Sequence, residues 1–199
     1  LENATAAKAK GLKEIGITDH GFNHILFGLK RKKLGDLRAE ISEAEKLTGV
    51  KVLMGMESNI ISSKGETDMK AEDLKFFDIY LCGIHEVLKF KKLSDFYHIF
   101  MRNYSAYKFA SKPSEKVISN TTKIYIETIK NNPIDILTHI NYKCFCNLKE
   151  VAKCCADYGT YIEINTKKRH VSAEELNSMA ETGVRFVIDS DAHSADRVG

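Results

Sequence analysis

The chain has 199 residues, of which 43% are hydrophobic, and its 30 Lys and Arg residues nearly balance its 27 Asp and Glu residues. A chain of this length can bury a core without disulfides or a structural metal, and a net charge of +3 gives no argument for nucleic-acid binding. No apolar run approaches the roughly 18 residues of a membrane span, and the first residues show no secretory signal pattern, so we expect no membrane association.

Six apolar runs predict strands that are buried on both faces, as in a parallel sheet. They span residues 14–18, 50–57, 78–84, 133–138, 160–164 and 185–188. Helical patterns lie between them, and this alternation predicts an α/β protein. Because no linker rich in Gly, Pro or Ser interrupts the chain, we expect a single domain over residues 1–199.

Capping residues predict where several helices begin and end. An apolar stripe in residues 37–47 is followed by Gly49, a typical helix stop. A second helix should run from its cap Asn147 to Gly159, and a third should begin at Ser114. Ser172 and the glutamate three residues later have the spacing of a capping box, which predicts a fourth helix start.

Five cysteines are present, and an odd number in a chain without a signal pattern favours a reduced, cytoplasmic protein. Cys144 and Cys146 resemble half of a zinc site, but no second cysteine pair lies at zinc-finger spacing. Cys154 and Cys155 fall within a helical pattern, where we expect at least one of them to be buried.

Polar residues follow every predicted strand. In chain order the strands end in Thr18-Asp19-His20, Glu57-Ser58-Asn59, Gly83-Ile84-His85, Thr138-His139, Glu163-Ile164-Asn165 and Asp189-Ser190-Asp191-Ala192-His193. The carboxyl ends of parallel strands open on one face of a barrel, where barrel enzymes place their sites. Imidazoles and carboxylates with little sulfur suit Zn, Mn or Fe. One such histidine is usually structural, whereas six polar strand ends favour a metal site.

Three other features have a plain structural interpretation beside a functional one. Residues 90–109 mix aromatic and basic side chains, as proteins that bind single-stranded nucleic acid do, but their rings recur at helical spacing and favour an amphipathic helix. The rings on the shared face are Phe96, Phe100, Tyr104 and Tyr107. We expect the basic run 30–33 to be solvated and His24 to lie at the surface.

The strand-end motifs resemble those of the PHP (polymerase and histidinol phosphatase) domain family, in that family's order. The most specific piece is Ser190-Asp191-Ala192-His193 followed by Arg197-Val198-Gly199. The resemblance extends over essentially the whole chain and implies a distorted (β/α)7 TIM-like barrel. Six strands are present, and the family's first strand with its His-x-His is not, so we expect a barrel truncated at the first strand and at the C-terminus.

The resemblance also implies a set of metal ligands. Matched by motif, they are His20, Glu57, His85, His139, Asp191 and His193. Glu57 would bridge two metals, and Glu57, Asp191 and His193 would be the catalytic residues. The family's centre holds up to three divalent ions (Zn, Mn or Fe), and with six of the usual nine ligands we expect fewer here.

By the same resemblance, the chain is expected to be a metal-dependent phosphoesterase that hydrolyses a small phosphate monoester, as histidinol phosphatase does. Lys167, Arg169 and Arg197 are the cations expected to hold the phosphate. Two alternatives stay open: a polymerase-associated nuclease module, and a degenerate barrel that binds metal or a partner without turnover. Nucleic acid is a disfavoured partner that the sequence does not exclude.

Overall fold

The computed structural model describes residues 1–110 and 112–199, and its centre is one curled sheet of six parallel strands. The strands are β1 (Glu14–His20), β2 (Lys51–Asn59), β3 (Ile79–Gly83), β4 (Ile136–Leu137), β5 (Tyr161–Asn165) and β6 (Phe186–Asp189). Each strand is hydrogen-bonded to the next in sequence. The sheet curls as part of a barrel, which confirms the predicted α/β, TIM-like fold. All carboxyl ends therefore open on one face.

Helical segments connect the strands. They are α1 (Glu2–Ala9), α2 (Leu34–Thr48), α3 (Leu93–Asp95), α4 (Arg102–Phe109), α5 (Glu115–Asn131), α6 (Leu148–Tyr158) and α7 (Ala173–Ala180). The predicted caps are confirmed, because the side chains of Ser114, Asn147 and Ser172 each accept a first-turn backbone N–H. Gly49 and Gly159 end α2 and α6 at φ values of 74° and 78°, which glycine adopts freely. Among the described residues, no helix combines the length and apolarity needed to cross a membrane.

Two clusters of apolar side chains hold the helices against the sheet. Leu137 and Ile162 of the central strands are fully buried in the larger cluster, together with Tyr125 of α5. Ile41 of α2 and Met54 of β2 belong to the smaller cluster. Each fully buried side chain of this size contributes roughly 1.5–3 kcal/mol of transfer free energy, so these contacts position the strand ends.

The cysteines belong to this packing. Cys154 and Cys155 are both buried, as predicted. The Cys144 Sγ atom lies 3.1 Å from the Tyr125 hydroxyl oxygen, and burial raises the pKa of the Cys144 thiol to about 11. Cys144 therefore packs against Tyr125 in the core, and its burial disfavours the thiolate form.

The bounds of all six strands differ from the prediction, and two of the differences concern the candidate site. β1 continues past Thr18 to His20, which pairs in register with Glu57, so this histidine belongs to the strand itself. β4 has only two residues instead of the predicted six. At its start the Ile134 carbonyl accepts from the Thr160 hydroxyl at 2.9 Å, and at its end His139 turns the chain with a φ of 32°.

The aromatic segment is helical, as predicted, but the helix type in its middle was not predicted. A π-helical stretch, Phe96–Met101, joins α3 to α4. The rings of Phe96, Phe100 and Tyr104 stack with centroid separations of 5.6 and 5.3 Å, as expected of a shared face. Tyr107 does not extend this stack and instead lies under the Lys143 ammonium group.

β1 and β6 are the two edges of the described sheet and do not pair with each other. The segment after β6 packs near the amino ends of β1 and β2. Val198 contacts the cluster that contains Ala7 and Val50, and the Lys10 ammonium donates to the Gly199 carbonyl at 3.4 Å.

Arg31 belongs to the basic run 30–33, which was predicted to be solvated, but its side chain has specific partners. Its guanidinium makes a bidentate hydrogen bond with the buried Asp73 carboxylate, at 2.9 and 2.8 Å, and lies 3.9 Å from the Phe22 ring centroid. Another N–H of the same group donates to the Asp68 carbonyl. Arg31 thus joins the chain after β1 to the chain after β2.

We expect Arg31→Ala to lower the free energy of unfolding by roughly 1–3 kcal/mol at pH 7, because Asp73 then stays buried without its partner. Burial raises the pKa of Asp73, but the hydrogen bonds from Arg31 and Lys70 hold it below its usual value. A lowered carboxyl pKa stabilises the fold above about pH 4 and stops doing so as the pH falls through it.

Urea unfolding at pH 7 and at pH 3 tests this, and the loss should shrink at the lower pH. Lys51→Ala is the control, since its pair with Glu14 is exposed and should contribute little. A loss of equal size at both pH values would contradict the assignment.

Candidate metal centre

Four side chains from four adjacent strands meet at the carboxyl face of the sheet. His20 ends β1, Glu57 lies beside it on β2, and His85 and His139 each follow a strand by two residues. Glu57 is at the centre. Its Oε2 atom lies 3.3 Å from His20 Nδ1, while its Oε1 atom lies 3.2 Å from His85 Nε2 and 3.0 Å from His139 Nε2.

The spacing of these atoms fits a divalent cation. His85 Nε2 and His139 Nε2 are 3.2 Å apart, and the donor atoms of His20, Glu57 and His85 all lie within 4.8 Å of one another. Tetrahedral ligands of zinc, at bond lengths of roughly 2.0–2.1 Å, are roughly 3.3 Å apart. Among the described residues, the buried His20 Nδ1 atom makes only its 3.3 Å ion-pair contact with Glu57 Oε2 and no hydrogen bond of good geometry. This donor set fits a metal better than it fits shared protons.

The charges in the cluster are mutually dependent. Burial raises the pKa of the Glu57 carboxyl, but the three histidines together hold it well below its usual value. Burial also lowers the pKa of His85. At His139 burial acts in the same direction, yet its hydrogen bond to Glu57 leaves the pKa raised. The site therefore presents an ionised carboxylate and a largely uncharged His85, as metal binding needs, whereas His139 would have to lose its proton when a metal binds.

Asp191 and His193 form a second group after β6. Asp191 Oδ1 lies 3.4 Å from His193 Nδ1, and the His193 side chain is 61% exposed. Lys167 reaches this group from the end of β5, with its ammonium 3.0 Å from His193 Nδ1 and 3.3 Å from Asp191 Oδ2. A carboxylate, an imidazole and an ammonium group thus share the open side of the face.

Two of the three predicted phosphate-binding cations are not in this group. Arg169 is exposed in the loop after β5. Arg197 lies in a short 3-10 turn packed against α1, next to Val198, which contacts Val50 at the opposite end of β2 from Glu57. The structure therefore brings Lys167 close to Asp191 and His193, and the roles of Arg169 and Arg197 stay predictions.

Glu163 is a residue that the implied ligand set omits. It is buried, and its carboxylate accepts the backbone N–H of His139. Burial, together with the nearby Asp189 carboxyl, raises the pKa of Glu163 to about 8. The Asn165 amide donates both to Glu163, at 3.2 Å, and to Asp191, at 3.3 Å. Glu163 and Asn165 therefore connect the two groups, and the only sequence signal was their place at a strand end.

The backbone is strained at two of the candidate ligands. His139 and Asp191 have φ values of 32° and 42°, which non-glycine residues rarely adopt. Such strain costs roughly 1–3 kcal/mol and is typical of functional sites. The hydrogen bond from the His139 N–H to Glu163 helps to hold the first of these conformations.

His24 lies inside the site, so its predicted surface position is wrong. It is only 8% exposed, and its ring stacks on His20 with centroids 4.4 Å apart. Its Nδ1 atom accepts the Phe27 N–H at 3.1 Å. This bond folds the loop after β1 back over its own strand end, an arrangement that spacing in the sequence does not reveal.

A buried carboxylate outside the cluster fixes the ends of β1 and β2. Asp68 accepts from the Ser58 hydroxyl at 2.6 Å and from the backbone N–H groups of Asn59 and Asn23 at 2.8 Å each. Gly21 approaches it so closely that a Cβ atom there would lie 2.5 Å from Asp68 Oδ2. Asp68 therefore stabilises the loop that carries His24.

Fold and site together define an α/β barrel-type protein with a cluster of imidazole and carboxylate donors at its strand ends. Comparison with known proteins agrees. The sequence matches the PHP domain family over residues 2–167. It is 30% identical over 213 residues to a "Probable phosphatase" of Caldanaerobacter subterraneus subsp. tengcongensis, covering 100% of this chain and 71% of the relative. The chain belongs to the PHP domain family.

Two solved structures share the fold at low sequence identity. Histidinol phosphate phosphatase from Lactococcus lactis, complexed with zinc, L-histidinol and phosphate, has a TM-score of 0.62 at 16% identity, covering 98% of this chain and 80% of that one. A chain of archaeal ribonuclease P with mature tRNA has a TM-score of 0.53 at 16% identity, covering 100% of this chain and 74% of that one. Both similarities concern the fold alone.

We expect Gly83→Ala to weaken zinc binding roughly 10–100-fold, the range found when the supports of metal ligands are disturbed. A Cβ atom at Gly83 would lie 2.7 Å from His139 Cε1 and closer still to the Thr138 hydroxyl, so the ring must move. Gly35→Ala is the control, since its Cβ atom would meet nothing within 4 Å. Competition with a chromogenic chelator measures the affinity, and equal values for the two variants would contradict the assignment.

Proposed function

We propose that this chain is a metal-dependent phosphoesterase that hydrolyses a phosphate monoester. The observation that carries the proposal is the contact of one largely buried carboxylate, Glu57, with three imidazoles on the carboxyl face. Curated relatives named probable phosphatases support the reaction class. We also propose that residues 1–199 act as one domain, because all six strands share one sheet. The cytoplasmic location stays a prediction.

His20, Glu57, His85 and His139 would hold a divalent ion, and Asp191 and His193 would hold another; zinc, manganese and iron all suit these donors. Ions bound there supply a water of lowered pKa and offset the charge of the phosphoryl oxygens. The oxygen of a water molecule forms a bond to phosphorus while the bond from phosphorus to the alcohol oxygen breaks. One proton of that water ends on the alcohol.

The chain's own residues orient the ester. The Lys167 ammonium, beside Asp191 and His193, is placed to bind a phosphate oxygen that does not react. Glu163 and Asn165 keep His139 and Asp191 at a fixed separation, which limits the loss of alignment during the reaction.

One assay tests this function against its alternatives. Protein loaded with Zn²⁺, Mn²⁺ or Fe²⁺ is given a chromogenic phosphate monoester and, separately, a single-stranded oligonucleotide. We expect release of phosphate from the monoester. Cleavage of the oligonucleotide alone would favour the nuclease alternative, and metal binding without either activity would favour the degenerate barrel.

Glu57→Gln should lower metal content more than His20→Ala does, since the carboxylate contacts three candidate ligands and His20 contacts one carboxylate oxygen. We expect kcat/KM to fall at least about 100-fold in Glu57→Gln, because the metal supplies the water. Glu66→Gln, which alters an exposed pair with Lys91, is the control. Elemental analysis decides, and unchanged metal content in Glu57→Gln would contradict this role.

A further inference from the structure

A cavity of about 150 Å³ opens beside the candidate metal centre. His85 and His139 form part of its wall, so the same two imidazoles face both Glu57 and the cavity. The far wall is apolar and aromatic. We call this cavity the side cavity. Its apolar wall consists of Ile84, Val87, Ile99, Phe100 and Tyr104.

The helical segment after β3 builds the apolar wall. The π-helical stretch contributes Ile99, which is fully buried, and Phe100, whose ring stacks on that of Tyr104 with an interplanar angle of 23°. The two rings form a flat surface. Offset stacking against such a surface favours another planar ring.

Asn103 and Lys143, two of the polar side chains around the side cavity, are already engaged. The Asn103 amide donates to the Ile99 carbonyl at 3.0 Å and to the Thr121 hydroxyl at 2.9 Å, and its oxygen accepts the Phe145 N–H. Lys143 forms an ion pair with Glu86, which leaves no net charge from these two residues. A charged occupant would gain little from these side chains and would lose its hydration.

The volume sets the size of the occupant. An apolar cavity of roughly 150 Å³ accommodates benzene, whereas sites for drug-sized ligands occupy roughly 300–1,000 Å³. One six-membered ring therefore fits inside it, and the ribose of a nucleoside would lie outside.

From size, lining and position we infer that the side cavity binds the alcohol part of the substrate, and that this part is an uncharged group about the size of one aromatic ring. The inference rests on the proposed function, since it assumes a phosphate held beside Glu57. It adds the substrate class: monoesters of the benzyl phosphate type rather than nucleotides or polyol phosphates.

Steady-state hydrolysis by the metal-loaded protein tests the inference with four esters: benzyl phosphate, glycerol 1-phosphate, L-histidinol phosphate and adenosine 5′-monophosphate. The first two leave as alkoxides of similar basicity, so their ratio reports binding of the alcohol. We expect kcat/KM to be at least about tenfold higher for benzyl phosphate than for any of the others. A preference for glycerol 1-phosphate, the nucleotide or the cationic histidinol ester would overturn it.

Val87→Trp supplies the structural arm of the test. Val87 is 40% exposed at the side cavity, so a larger side chain can cover the opening without entering the core. We expect the benzyl-to-glycerol ratio of kcat/KM to fall at least fivefold. Leu93→Trp, at a position that is 83% exposed and outside the cavity lining, should keep the original ratio. An unchanged ratio in Val87→Trp would overturn the inference while leaving the proposed function intact.

A binding measurement distinguishes a failure of the side-cavity inference from a failure of the proposed function. Calorimetry with benzylphosphonate and methylphosphonate, which are not hydrolysed, should show at least tenfold tighter binding of the benzyl compound, lost in Val87→Trp. If no ester is cleaved but this difference is found, the proposed reaction fails and the side cavity stands. Equal binding of the two phosphonates would overturn the side cavity as a ring site.

Discussion

The burial of the Glu57 carboxylate is the constraint on which the rest of this molecule depends. A carboxylate with a side chain only 16% exposed is costly unless partners offset its charge. Here the partners are imidazoles from three other strand ends, so one charge ties β1, β3 and β4 to β2. The sheet must curl and keep its register for these atoms to meet, and a barrel of parallel strands meets that requirement.

The second constraint is backbone strain. His139 and Asp191 occupy conformations that their side chains do not favour. Glu163 and Asn165 connect the two residues by hydrogen bonds. Part of the stability that the core contributes offsets the cost of this strained geometry. The site is therefore pre-organised by the surrounding fold.

Local chemistry made much of this fold predictable from the sequence. The caps at Asn147 and Ser172 and the meeting of Glu57 with His85 follow from short-range rules and from the geometry of parallel strands. The position of His24 and the pairing of Arg31 were not predictable, because each depends on a loop crossing to a distant segment. Glu163 was marked by its place at a strand end, but its contact with the His139 N–H does not follow from that place. No periodicity or spacing records such a contact.

The π-helical stretch Phe96–Met101 has a consequence for how the wall of the side cavity can change. A π-helical turn holds one residue more than an α-helical turn, and one residue corresponds to about 100° of rotation around an α-helix. Loss of a single residue there would turn Ile99 and Phe100 relative to Tyr104. The wall beside His85 would then be rebuilt without touching any candidate ligand. In this architecture, a change in chain length can reshape the side cavity while the candidate ligands stay in place.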